Sequence, residues 1–210
     1  MLARRTKEDA LATRNSLLDA AELLFQAQGV SNTSLNDIAR QAGTSRGAIY
    51  WHFQDKADLF NAMMERVTLP FEQVFEDLGK YAGDNPLQGF RAAMRDALRL
   101  ISTDERTRRV FEVATHKVEY VDELHAVRLR HLAVCKEFLK QMEYALGLAA
   151  KAQKLTLPID VSNAALGLHA LIDGMIQNWL LDSGAFDLAG ISEKLIDIYL
   201  AGLGFRDVST

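Results

Sequence analysis

Residues 34–53 read SLNDIARQAGTSRGAIYWHF, and two short helical patterns meet in them at Gly43. Ser34 stands before Leu35 with Asp37 three residues on, the signature of a capped helix start, and Gly43 ends that helix. Thr44 or Ser45 caps the next helix, which finishes near Trp51–His52. Ile38 and Ala39 face inward from the first helix, and Ile49 reaches back from the second. Small Ala39, four before Gly43, lets the two cross closely. That spacing is a helix-turn-helix: a positioning helix, a short turn, and a recognition helix for the DNA major groove.

The order of residues in the second helix suits that task. Ser45, Arg46 and Gly47 make a slim, polar leading end from which a side chain reaches base edges without obstruction. Arg46 suits a bidentate pair with guanine, which carries about 1–3 kcal/mol of discrimination. Tyr50, Trp51 and His52 form a broad trailing end whose polar tips suit phosphate oxygens while the rings brace the domain. Lys56, at the next helix start, is placed to do the same. Phe53 is read as core; Tyr50 admits both core and contact, and His52 alone also reads as a surface histidine.

Helical periodicity extends outward in both directions, and convincing strand alternation is absent. From Lys7 to Gln28 the apolar residues Ala10, Leu17, Leu18, Ala21, Leu24 and Phe25 follow the 3–4 spacing of one buried face, and Gly29 follows as a stop. Asp55, with Asp58 three residues later, opens a helix at KADLFNAMMERV. Asn85-Pro86 is an N-cap with proline at the first helical position. Asp104 opens DERTRRVFEVATHKVEY, a further pattern runs from Val121 to about Lys154, and Asp160 and Asp187 open the last two helices. The expectation is an all-α chain of about nine helices.

Composition bounds the function. With 210 residues, 49% hydrophobic and 25% charged, the chain is an ordinary folded one of one or two domains. No run of about 18 apolar residues predicts a membrane span, and MLARRTKEDALATR at residues 1–14 lacks the apolar stretch of a secretory signal. Cys135 is the only cysteine, which excludes an internal disulfide and a Cys-rich zinc site and fits a reducing cytoplasm. Its thiol reads as a small apolar side chain or as a redox switch. The chain carries −4, yet residues 1–56 hold seven basic side chains (Arg4, Arg5, Lys7, Arg14, Arg40, Arg46, Lys56) against six acidic ones. A small basic arm on an acidic protein suits a local phosphate contact rather than bulk adhesion.

Nothing marks an enzyme. His52, His116, His125, His131 and His169 form no metal pattern, and no phosphate loop or nucleophile elbow is present. No catalytic residue, metal or cofactor is expected. His116 and Glu119 share a helix face, as a structural pair does.

Val161–Leu181 is apolar on more than one face, with Gly167 and Gly174 seven apart. Either it is the central helix of a monomer, or it packs inward on its own core and outward on a second subunit together with Ile191, Leu195, Ile198 and Tyr199.

Residues 4–60, and above all the combination I-A-x-x-A-G-x-x-x-G-x-x-Y-x-H-F-x-x-K-x-x-L from Ile38 to Leu59, resemble the DNA-binding domain of TetR-family transcriptional repressors. RTKE, TR and RGAIYWHF are most similar to the subgroup that represses multidrug efflux pumps, the AcrR and TtgR type. The likeness continues more weakly through HKVEY at 116–120, IDGMIQNWLL at 172–181 and FDL at 186–188.

This resemblance implies an all-α homodimer in the cytoplasm, with a DNA-binding domain at 1–56 and a ligand-binding and dimerisation domain at 57–210. The protein would leave its operator when a hydrophobic small molecule enters the larger domain. By the motif, Ser34, Thr44, Ser45, Arg46, Gly47, Tyr50, Trp51, His52 and Lys56 match DNA-contacting positions. Asp173 matches a polar anchor in an apolar cavity. Val67, Phe71, Phe90, Met94, Phe111, Thr115, Phe138, Met142, His169, Ile172 and Ile176 match pocket positions, though core packing explains each equally. Thr68 and Phe71 replace acidic or histidine residues of relatives, which implies a more apolar upper pocket. Gly167, Gly174, Leu195, Ile198 and Tyr199 fall at the dimer interface. The alternatives are a TetR-type regulator of a metabolic or catabolic operon that responds to a metabolite, a helical small-molecule-binding protein, a DNA-bending scaffold without a ligand, and an enzyme.

Overall fold

A computed structural model describes residues 7–80, 86–119 and 124–206, with the side chains of residues 70–80 outside the description. Among the described residues the chain forms nine helices and no strand. They are α1 (Lys7–Gln28), α2 (Leu35–Gln41), α3 (Arg46–His52), α4 (Lys56–Lys80), α5 (Pro86–Thr103), α6 (Glu105–His116), α7 (His125–Ala152), α8 (Val161–Leu181) and α9 (Leu188–Gly202). The chain divides into two compact units, Met1–Val67 with Arg109–His131, and Thr68–Arg108 with Leu132–Thr210.

In the first unit, α1 packs on α2 and α3, and α2 packs on α3. The apolar stripe of α1 supplies Leu17, Leu18, Ala21 and Phe25 to a core completed by Ile38, Ala39, Ile49, Phe53, Leu59, Phe60 and Met63, all buried. The rings of Phe25 and Phe60 meet at 6.0 Å between centroids, within the range of favourable aromatic pairing. Phe53 is core, as its pattern predicts.

One turn differs from the sequence reading. The α6 helix ends at His116 rather than running on toward Tyr120, because the Lys117 carbonyl accepts from the Val30 amide at 3.0 Å and is no longer available to a helical ladder. Tyr120 and Val121 lie outside the described residues. Asp104 does cap α6: its Oδ1 accepts from the Thr107 amide at 2.7 Å and from the Thr107 hydroxyl at 2.6 Å.

In the second unit, α9 packs on α5 and on α8. Buried Phe90, Met94, Leu98 and Ile101 of α5 share its core with Met142 and Leu146 of α7, Leu168, Ile172 and Trp179 of α8, and Ile196 and Leu200 of α9. A bidentate pair ties α5 to α9: Arg91 Nε and Nη2 donate to the two carboxylate oxygens of Asp197 at 2.7 and 2.6 Å. The small residue Gly167 admits a ring from α9, since a Cβ there would overlap the Tyr199 hydroxyl, which donates to the Ala164 carbonyl at 2.9 Å.

Candidate nucleic-acid interface

Two serine caps and one glycine fix the geometry of α2 and α3. Ser34 Oγ accepts from the Asp37 amide at 3.2 Å, and the Asp37 carboxylate accepts in return from the Ser34 amide, also at 3.2 Å. This capping box satisfies two helix-start donors at once. The Ser34 hydroxyl also donates to Asp37 Oδ2 at 2.5 Å, and that bond first, then the one from the Ser34 amide, together with the Arg40 charge, holds the Asp37 carboxyl below its ordinary value. At α3 it is Ser45, rather than Thr44, that caps, accepting from the Ala48 amide at 3.2 Å. Between them Gly43 adopts φ +65°, a left-handed conformation that glycine takes without steric cost, and its amide donates to the Arg40 carbonyl at 3.1 Å.

With Ile49 buried, the opposite side of α3 is presented outward. Ser45, Arg46, Gly47, Tyr50 and Trp51 are exposed, Trp51 to 73%, while Thr44 and His52 are half-buried. The Arg46 guanidinium lies over the Tyr50 ring at 5.6 Å from its centroid, so the cation is held on the exposed face by its own helix. Trp51 meets His52 edge-on at 4.6 Å. A Cβ added to Gly47 would find only Ser45 Oγ at 3.9 Å, so folding does not require a glycine there. The room it leaves is on the outside.

Lys56 stands apart from this face. It is buried, and its Nζ donates to the carbonyls of Thr33 at 3.2 Å and Ser31 at 3.4 Å, holding the α1–α2 turn. Arg40 is an exposed cation on α2, paired with Asp37 at 2.6 Å, and the sequence reading did not include it in the interface.

The residues expected around a ligand fall into both units. Val67 is buried in α4, Phe111 and Thr115 are half-buried in α6, and all three belong to the first unit. In the second unit Phe90, Met94, Met142 and Ile172 are buried, while Phe138, His169 and Ile176 are half-buried. Phe138 and His169 pack edge-on at 5.7 Å. The side chain of Phe71 lies outside the described residues, and Thr68 is half-buried. Asp173 is exposed, and its Oδ2 accepts from Gln177 at 2.5 Å. Burial, then the Asp173 charge, pushes the Cys135 thiol up, so the cysteine is a poor thiolate. A cleft of about 290 Å3 in the first unit, lined by Gln28, Asn32, Lys117 and Glu119 among others, includes none of the expected ligand residues.

On α8 and α9 the sequence reading named part of the exposed apolar surface. A Cβ added to Gly174 would meet nothing within 4 Å, Leu195 is half-buried, and Ile198 is 67% exposed. Leu166, Ile191 and Leu181 are exposed as well. Ile191 was named with the outward residues; Leu166 and Leu181 were not singled out, because an all-round apolar pattern does not say which side stays uncovered.

Residues 17–63 match the family pattern described as bacterial regulatory proteins, tetR family, and residues 85–205 match the MAATS-type transcriptional repressor, C-terminal region. The chain belongs to the TetR family. Over 200 residues it is 37% identical to the HTH-type transcriptional regulator AcrR of Shigella flexneri, covering 95% of this chain and 93% of that one. The crystal structure of NalD, the secondary repressor of the MexAB-OprM multidrug efflux pump in Pseudomonas aeruginosa, superposes with a TM-score of 0.86 at 38% identity, over 96% of this chain and 100% of that one. A SmeT–triclosan complex superposes with a TM-score of 0.84 at 33% identity, over 95% of each chain. SmeT is the repressor of the Stenotrophomonas maltophilia multidrug efflux pump SmeDEF.

This TetR-family chain is therefore a transcriptional repressor related to regulators of efflux pumps, in a family of regulators rather than enzymes. Among the described residues no helix is long and apolar enough to cross a membrane, and no cluster of metal-ligating side chains occurs.

Proposed function

We propose that the chain is a homodimeric, cytoplasmic repressor of a multidrug efflux operon that leaves its operator when a hydrophobic small molecule binds its C-terminal part. The observation that carries this reading is the end-to-end likeness to NalD, a repressor of a multidrug efflux pump. The SmeT–triclosan complex supports a hydrophobic phenol as one ligand class.

In this reading residues 1–56 form the DNA-binding domain and 57–210 the rest. Two copies of α3 lie in successive major grooves, about 34 Å apart. Arg46 reads a base edge, and Gly47 lets the helix lie close to the groove floor. Ser34, Thr44, Ser45, Tyr50, Trp51 and His52 set its register on the phosphates. Leu166, Ile191, Ile198 and the open side of Gly174 meet their counterparts in a second copy, which removes apolar surface from water. The ligand favours a dimer whose two α3 helices no longer match the operator, and so shifts the population off DNA.

The test is fluorescence anisotropy of the protein on DNA from upstream of its own gene, at fixed salt, titrated with triclosan and a panel of hydrophobic antibiotics, dyes and plant phenols. Tight binding abolished by one compound class is the expected result. Tight binding that no compound disturbs overturns ligand release, and no specific binding overturns autoregulation at that site.

A further inference from the structure

Among the described residues Glu22 is the only buried carboxylate, 1% exposed in the middle of α1. Arg66 Nη2 of α4 donates to its Oε1, and Arg109 Nη1 of α6 stands 3.8 Å from its Oε2. Arg66 Nη2 also pairs with Asp19 of α1 at 2.8 Å. All four residues belong to the first unit.

Net stability does not account for this cluster. Desolvating a carboxylate and two guanidinium groups costs about as much as their attraction returns, or more, and Arg66 Nε is buried here with no partner. A buried ion cluster does select one arrangement of the elements that carry it. Which elements these are is informative. The chain leaves the first unit after Val67 in α4, enters it again at Arg109 in α6, and leaves it after His131 in α7. Arg66, Arg109 and Arg130 each stand at one of these passages or one residue inside it. Each is bound to a carboxylate of the first unit, Arg130 Nη1 to Glu65 Oε1 at 3.2 Å. Two of the three meet on Glu22, and α1 in turn carries the Leu17, Leu18 and Phe25 core against which α2 and α3 are packed.

We infer that Glu22 is a positioning residue for operator binding: it is the joint through which a displacement of α4 or α6 reaches the helix-turn-helix. The inference rests on the ligand-release reading and names how that release is transmitted. Glu22 touches neither DNA nor ligand. It acts by holding α1 to the two arginines.

The experiment compares wild type with Glu22→Gln, which keeps the shape and removes the charge, and with Arg109→Met, which leaves the Glu22–Arg66 pair in place. For each, operator affinity is measured with and without a saturating compound, triclosan first and otherwise whichever of the panel releases the wild type. Compound affinity for the free protein is measured by calorimetry, and folding by a circular-dichroism melt. The wild-type ratio of operator affinities should fall in the roughly 5- to 150-fold range of allosteric coupling. Both variants should bind the compound while that ratio drops toward unity. A merely structural role would lower the melt and leave the ratio alone. If Glu22→Gln does not fold, Arg109→Met decides. Folded variants that keep the wild-type ratio overturn the inference alone; a wild type that binds operator and is released by no compound overturns ligand release and this inference with it.

Discussion

The phenol of Tyr199 occupies the space that Gly167 leaves on α8, with its oxygen 2.9 Å from the Ala164 carbonyl. A Cβ at Gly167 would stand 3.1 Å from the Tyr199 Cζ and overlap the hydroxyl. Gly167→Ala therefore forces the ring out of its slot and should destabilise the protein by about 1–3 kcal/mol. A denaturant titration against wild type measures this. Gly174→Ala, with nothing within 4 Å of the added methyl in the interior of α8, should instead stabilise a single chain by about 0.5–1 kcal/mol.

Arg46 is exposed and lies on its own Tyr50 ring, so its removal leaves the fold intact. Arg46→Ala should cost specific operator binding about 1–3 kcal/mol while the melting curve stays in place. Gly47→Ala should behave similarly, because the added methyl meets open space in the protein and, in the proposed complex, would stand between α3 and the groove floor. Anisotropy on specific and scrambled duplexes separates base reading from phosphate attraction.

Lys56 makes the opposite prediction. Its ammonium is spent on the Ser31 and Thr33 carbonyls, so Lys56→Met should lower the melting temperature and leave the salt dependence of operator binding as it was. A lysine that neutralised a phosphate would instead reduce the slope of log affinity against log salt by about 0.9 on substitution.

Ile198 is 67% exposed on α9 and Leu166 is 53% exposed on α8. Ile198→Glu should place a charge on the face proposed to meet a second copy, yielding monomers in analytical ultracentrifugation and operator binding weakened by at least about tenfold, since a lone half-site contact loses the linked second one.

Asp37 and Asp104 both have carboxyls held below the ordinary 3.8, the first chiefly by hydrogen bonds from Ser34 and the second by those from Thr107. A group whose folded value is lowered adds stability that is present above its unfolded value and disappears as pH falls through the folded one. The melting temperature should thus drop as pH falls below 3.8. Asp104→Asn should lower it at neutral pH and shrink the acid-induced drop, which calorimetry across the acid range would record.

Local chemistry explains why α2, α3 and their caps were legible beforehand. Ser34, Asp37, Gly43 and Ser45 act on amides within four residues of themselves, and sequence spacing reports such contacts directly. The bonds of Lys56 to the α1–α2 turn were not legible because its partners, Ser31 and Thr33, are more than twenty residues away. Glu22 escaped notice for the same reason: in the periodicity of α1 it is a polar residue on an apolar flank, and only tertiary packing supplies Arg66 and Arg109. Asp173, expected inside an apolar cavity, is instead exposed beside Gln177, since the all-round apolar pattern of α8 does not single out a face.

The chain has two tryptophans, and they report on different places. Trp51 is 73% exposed on the outward side of α3, whereas Trp179 is buried in α8. The molecule thus carries a built-in pair of fluorophores, one in each compact unit. Iodide should quench the red-shifted emission of Trp51 and spare the blue-shifted emission of Trp179. Protection of the first on adding operator, against a change in the second on adding a compound, would let both halves of the switch be watched in one cuvette without a label.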